Sequence, residues 1–281
     1  MPVGVMTWVL SDPFKAVELA RSVGVRTMQL GCPPDEYLSG NKRQELKRFI
    51  EKSGIRITTV FCGYLGENYA DMNTIMETVG FRNPKLRAQR LEKTFQISGF
   101  ANELGVNVIA AHVGFIPEDP RDPAFNEMVQ VVRKIADYCK KNGQYFALET
   151  GQESAGTLQR FIKNVGRDNI RVNFDPANMI YYGSGDPIEA LEVLRDLVIS
   201  VHCKDVKMPH GEQRVGEEVL FGDGDVGAEK FLTKLKAIGY KGPLAIEREV
   251  IDIEEQRRDM IIVKARIEKL REELARIPAG K

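Results

Sequence analysis

The sequence predicts an α/β protein, a single (β/α)₈ TIM barrel, and three observations carry that expectation. Short β-rich runs alternate with stretches of helical period from end to end, and the runs number eight, as the barrel requires. No Gly-rich phosphate loop follows the first run, where a doubly wound dinucleotide fold would carry one. The residues with chemical potential cluster at the ends of the later runs, the place where barrel enzymes keep them. Residues 1–281 suffice for one such barrel, and no compositional break divides them.

In chain order, the strand candidates are residues 3–10, 26–31, 56–62, 106–113, 145–149, 170–175, 198–203 and 243–247. Several are apolar at nearly every position, such as Val106-Asn-Val-Ile-Ala-Ala111 and Val198-Ile-Ser-Val201, which suits strands covered on both faces. Ala16, Leu19, Ala20 and Val23 mark the inner face of the first crossover helix. Asp12-Pro13 and Asp186-Pro187 place a capping carboxylate before a first-turn proline, and Glu189 completes a capping-box spacing. Gly24, Gly54, Gly105, Gly143 and Gly239 stand where a helix turns into the next strand. Residues 63–84 and 208–227 break the rhythm; long, polar and glycine-containing, they are expected as βα loops that restrict access to the active-site face. A charged C-terminal helix is expected at about residues 254–276, packing beside or under the barrel with Ile262, Ala265, Ile267, Leu270 and Leu274.

Lys plus Arg equals Asp plus Glu at 40 each, which removes the electrostatic case for nucleic-acid or acidic-membrane partners. The first residues run straight into a strand without a basic or apolar leader, and no apolar run is long enough to span a bilayer. Cys32, Cys62, Cys139 and Cys203 lack CxxC spacing and read as reduced thiols, so a cytoplasmic location is expected. Self-association into a homo-oligomer is left open.

Four successive strand candidates finish on a metal-competent side chain: Glu149, Asp175, His202 and Glu247. Each carboxylate alone would pass for a helix cap. Together, on one rim, three carboxylates would repel one another unless a cation held them. Three carboxylates and one imidazole suit one hard divalent ion, Mn²⁺ first, with Mg²⁺, Co²⁺ or Zn²⁺ as alternatives. Nearby stand His112, closing the fourth strand, Lys204, two residues beyond His202, and Trp8 on the first strand, each readable as a substrate contact or as a structural group. His210 lies in a polar loop and is expected to be solvated.

The stretches Leu148-Glu-Thr-Gly151, Asn173-Phe-Asp-Pro-Ala-Asn178, Ser200-Val-His-Cys-Lys-Asp205, Gly222-Asp-Gly-Asp-Val226 and Ile238-Gly-Tyr-Lys-Gly-Pro243, leading to Glu247, resemble the sugar phosphate isomerase/epimerase family. These are xylose isomerase-like barrels that include ketose epimerases of the D-tagatose 3-epimerase type, and the resemblance covers nearly the whole chain. It implies that Glu149, Asp175, His202 and Glu247 are the metal ligands, and that Glu149 and Glu247 also move protons as catalytic residues. The implied reaction isomerises or epimerises a ketose by proton abstraction next to a carbonyl through a metal-stabilised enediolate. Asn178 stands where many ketose epimerases carry a histidine, Met208 where they carry an arginine, and Gln29 where a glutamate is common, so the known substrates are not carried over. The partner is a small sugar, bound by His112, Lys204, Asn178 and Trp8. A different class remains in view, a metal-dependent lyase or hydrolase acting on a 3-oxo-glycoside or polyol derivative. Phosphodiester cleavage is disfavoured, since the related nucleases use a histidine-rich multi-zinc site and this chain has 3 histidines.

Overall fold

Parallel strands that bury both faces need a covering helix between neighbours, and the chain supplies that alternation. The computed structural model describes residues 1–8, 12–208 and 216–276. In order it forms β1 (Val3–Thr7), α1 (Pro13–Val23), β2 (Thr27–Leu30), α2 (Gly40–Ser53), β3 (Arg56–Phe61), α3 (Met72–Thr78), α4 (Arg87–Glu103), β4 (Val108–Ala111), α5 (Pro123–Lys141) and β5 (Tyr145–Glu149). There follow α6 (Ala155–Val165), β6 (Ile170–Phe174), α7 (Pro176–Tyr182), α8 (Pro187–Leu194), β7 (Val198–Cys203), β8 (Asp205–Lys207), β9 (Glu217–Val219), α9 (Ala228–Ala237), β10 (Leu244–Ile246) and α10 (Ile253–Arg276). A closed barrel runs in the order β1-β10-β7-β6-β5-β4-β3-β2, with every pair parallel, so the (β/α)₈ expectation is met.

Side-chain alternation along the strands aims the site. Met6, Phe61, Val108, Ala110, Ala147 and Ala245 form a small cluster of their own, distinct from the large core between sheet and helices. Two residues beyond Ala110, Ala147 and Ala245 come His112, Glu149 and Glu247, which therefore point the same way, over the barrel mouth. The three alanines leave room for Phe61, whose ring lies 5.3 Å from that of His202.

The strands are shorter than the apolar runs suggested: 106–113 contracts to Val108–Ala111 and 243–247 to Leu244–Ile246. The caps hold, with Asp12 accepting from the Phe14 amide and Asp186 from those of Ile188 and Glu189. The C-terminal helix packs against α1, α9 and β1, but through Met260, Val263, Ile267 and Leu274. Ile262 and Ala265, both expected among its apolar residues, are exposed, Ile262 at 48%, because the buried stripe follows the 260, 263, 267 spacing instead.

Neither long insert is merely loop. Within 63–84 lies α3, and the ends of the segment are tied down: Glu67 accepts the amides of Tyr64 and Gly80, while Arg90 donates to the carbonyls of Thr78 and Gly80. The Phe81 amide reaches the Val113 carbonyl at 2.8 Å, fastening the insert to the end of β4. In 208–227, β9 returns antiparallel to β8, and the buried Asp205 carboxylate gathers the amides of Val206, Gly222, Gly224 and Val226 at 2.8–3.2 Å. The Gly222-Asp-Gly-Asp-Val226 motif thus folds around the aspartate that begins β8. His210 lies outside the described residues. No helix among them is long and apolar enough to cross a membrane, and the four cysteines are free.

Candidate metal centre

Glu149 ends β5, Asp175 follows β6, His202 lies in β7 and Glu247 follows β10; all four are buried, and one ligand atom of each lies within 4.8 Å of the others. His202 Nδ1 stands at their centre, 3.0 Å from Glu247 Oε2, 3.1 Å from Glu149 Oε1 and 3.4 Å from Asp175 Oδ2. Asp175 caps a helix with one oxygen and leaves the other available as a ligand. Its Oδ1 accepts the amides of Ala177 and Asn178 at the start of α7, while its Oδ2 faces the imidazole.

The electrostatics of the cluster suit a cation. Burial alone would push the His202 imidazole down, yet the Glu247 charge and the hydrogen-bonding carboxylates hold it well above its ordinary value. A proton on His202 is thus doing what a divalent ion among these oxygens would do more fully. The two glutamates are pulled apart. Burial raises Glu149 to about 7 against the pull of His202, whereas Glu247, equally desolvated, is held well below the carboxylate range by Lys204, His202 and the Trp8 indole.

Contacts behind the imidazole decide which nitrogen can bind metal. Nε2 lies 3.1 Å from Gln29 Oε1, and the Gln29 amide is oriented by its other end, 3.4 Å from the Val201 carbonyl. Asn173, its carbonyl oxygen taken by the Ser200 hydroxyl, also turns its NH₂ toward this nitrogen. Gln29 offers Nε2 an acceptor, so Nδ1, the nitrogen facing the three carboxylates, is the one whose proton a metal ion would displace. The donor set therefore fits one divalent ion, three oxygens and one nitrogen. Thr150 braces the arrangement, its hydroxyl donating to the Asp175 carbonyl and accepting the Asp175 amide.

A cavity of about 350 Å³ opens above this cluster, and His112, Lys204, Asn178 and Trp8 all line it together with Glu149 and Glu247. Trp8 donates its indole N–H to Glu247 Oε1 at 2.9 Å and meets Phe61 edge-on, so it is a wall with a polar anchor. Lys204 bridges Glu247 and Glu249 at 3.4 and 3.0 Å and leaves Asp205 to the backbone amides. Asn178 donates to the Thr150 carbonyl. The inserts contribute Glu67, Tyr69 and Glu218 to the lining, and α7 contributes Tyr182. None of these, nor the roles of Gln29 and Asn173, was singled out from sequence; the alternation Asn173, Asp175 along β6 was the available signal.

A model of the xylose isomerase-like TIM barrel family matches residues 17–276. Over the whole length, a xylose isomerase domain protein from Planctomyces limnophilus superposes with a TM-score of 0.93 at 40% identity, covering 98% of this chain and 99% of that one. A D-tagatose 3-epimerase-like protein superposes with a TM-score of 0.77 at 22% identity, covering 98% of each chain. An uncharacterized protein of Methanocaldococcus jannaschii is 27% identical over 240 residues, 79% of this chain and 74% of its own length.

Proposed function

Because the chain belongs to the xylose isomerase-like TIM barrel family, we propose that it is a divalent-metal-dependent sugar isomerase, of the ketose 3-epimerase or aldose–ketose type. The observation that carries this reading is the pair Glu149 and Glu247, which reach one cavity from strands three places apart around the barrel and both abut His202 Nδ1. Glu149, Asp175, His202 and Glu247 would hold the ion, with Mn²⁺ preferred by an oxygen-rich set. That ion supplies Lewis-acid polarisation of a substrate carbonyl. Glu149 and Glu247 take and return a proton on the neighbouring carbon, one from each face, by way of an enediolate. Trp8, Asn178, His112 and Lys204 bind the sugar, and the tethered inserts keep bulk water from it.

The test incubates Mn²⁺-loaded protein with ketoses, aldoses and oxo-glycosides and resolves the products by mass and chromatography. An isomer of unchanged mass, formed only with metal, is expected. Fragments would transfer the site to the lyase or hydrolase class, and turnover that survives complete chelation would overturn the reading. Metal analysis should find one ion per chain, lost in His202→Ala.

A further inference from the structure

We propose that His112 is a fixed Nε2–H donor for the carbonyl oxygen of the substrate, so that the site recognises an oxo sugar and discriminates against the matching polyol. This rests on the isomerase reading and adds the group that reads the reacting functional class.

The ring's state follows from its surroundings. The Gly114 amide donates to His112 Nδ1 at 3.2 Å, which leaves the ring proton on Nε2. That turn has little freedom: Gly114 adopts φ +84°, its carbonyl accepts from Gln152, and Gly80 presses against it so closely that a Cβ there would lie 2.0 Å from the Val113 carbonyl carbon. Nε2, by contrast, is buried and has no hydrogen-bond partner among the described residues, although its ring lines the cavity. A buried donor left unpaired is costly, so a site that keeps one has a use for it when filled. Gly151 keeps that nitrogen accessible, since a Cβ at 151 would stand 2.6 Å from it.

What faces the ring fixes its charge and its taste. Tyr69 and Tyr182 flank it at 6.2 and 6.3 Å between centroids as neutral phenols, and Asp175 exerts the one opposing charge. Burial prevails and lowers the imidazole to about 4, so it stays uncharged in neutral solution. The rest of the cavity is rich in carboxylates, with Glu149, Glu218, Glu247 and Glu249 in its lining, and these accept from hydroxyls. Its ammonium, on Lys204, already serves Glu247 and Glu249. A neutral donor fixed in the cavity wall meets the requirement those groups leave unmet, an acceptor-only oxygen that gains negative charge as the neighbouring proton leaves.

Two measurements test this. In ¹⁵N-labelled protein the three histidines are assigned with His112→Gln and His210→Gln, and the His112 ring should show a protonated Nε2, a bare Nδ1 and no titration from pH 5.5 to 8; an Nδ1–H tautomer or a midpoint in that range overturns the proposal. Calorimetry on Mn²⁺-loaded protein then compares ketoses with their reduced polyols. His112→Leu should abolish the preference for the ketose and lower kcat by about 10²-fold or more, the size of losing one oxyanion donor, with His112→Gln recovering part of both. An undiminished ketose preference in a folded His112→Leu protein refutes the carbonyl assignment while leaving the isomerase reading intact. If no ketose binds wild-type protein at all, the isomerase reading fails, and the carbonyl assignment with it.

Discussion

Replacing Glu153 with glutamine should make the protein more stable, and increasingly so as the pH rises. Glu153 lies on the turn between β5 and α6, is 5% exposed, and is pushed up to about 8 by burial, with Glu118 and Glu149 adding repulsion and only backbone amides opposing. Glu118 cannot be turned away, because it accepts the Ser154 amide and the Thr157 hydroxyl at the start of α6. At pH 7 the folded chain therefore keeps a proton that the unfolded chain, with an ordinary value of 4.5, has released. The sign follows from that ordering: a raised folded value gives stability that is complete below 4.5 and is lost as pH climbs toward 8. At about 1.4 kcal/mol per pH unit, the interval from 4.5 to 7 costs about 3 kcal/mol, the loss levels off at about 5 kcal/mol above pH 8, and it is under about 1 kcal/mol at pH 5. The amide of Glu153→Gln has the same shape and no charge, so it escapes this cost. Equilibrium urea unfolding of chelator-treated protein at pH 5, 7 and 8.5 reads the difference from the shift in midpoint at constant slope. A difference independent of pH, or a variant weaker than wild type at pH 8.5, would refute the reasoning and mean that the folded carboxylate is ionised and partnered.

Three further outcomes are expected. The protein has 1 tryptophan, and its indole donates to Glu247, so adding Mn²⁺ to chelated protein should quench Trp8 emission, an effect absent in His202→Ala; unchanged emission in a protein shown to carry metal would detach Trp8 from the site. Glu149→Gln and Glu247→Gln should each cut turnover by at least about 10²-fold while metal content falls modestly, and wild-type product formed in D₂O should carry deuterium at the inverted carbon. Retained inversion in both variants would remove the pair as acid and base. Gly80→Ala places a side chain at φ +64° against the backbone of Val113 and Gly114, and should cost at least about 1–3 kcal/mol in thermal unfolding; a neutral substitution would show that the 63–84 insert is not fastened there.

The barrel and the clustering of Glu149, Asp175, His202 and Glu247 were legible because both are written locally. Apolar runs bounded by turns announce the strands, and a polar residue two places past an inward alanine announces the rim, as with Ala147 and Glu149 or Ala245 and Glu247. What escaped notice depends on contacts with no local spacing. Gln29 reaches His202 across 173 residues of chain, and only the closed barrel makes them neighbours. Gln29 read as a departure from a family pattern; in the structure its side-chain oxygen faces His202 Nε2 and leaves Nδ1 to the carboxylates. The choice between cap and ligand at Asp175 was also posed too narrowly, because a carboxylate has two oxygens and a helix start needs one. Ile262 shows the reverse limit, since a long charged helix offers more than one apolar stripe and only its neighbours on the barrel select between them.

Barrel closure also makes the two glutamates unequal before any ligand enters. Because β10 pairs with both β1 and β7, Glu247 comes beside Trp8 from one neighbour and Lys204 from the other, and two donors fix its oxygens. Glu149 sits between β4 and β6, where beyond the shared His202 imidazole its nearest donor is the Asn173 amide at 3.4 Å, and no lysine or arginine bridges to it among the described residues. The same side chain at equivalent strand ends is thus ionised and pinned in one place, and near neutrality in its proton affinity in the other. An acid–base pair needs that inequality, since two carboxylates of matched affinity would compete for one proton where one is required to give and the other to take. Here the difference comes from strand order, which decides which neighbours each glutamate receives.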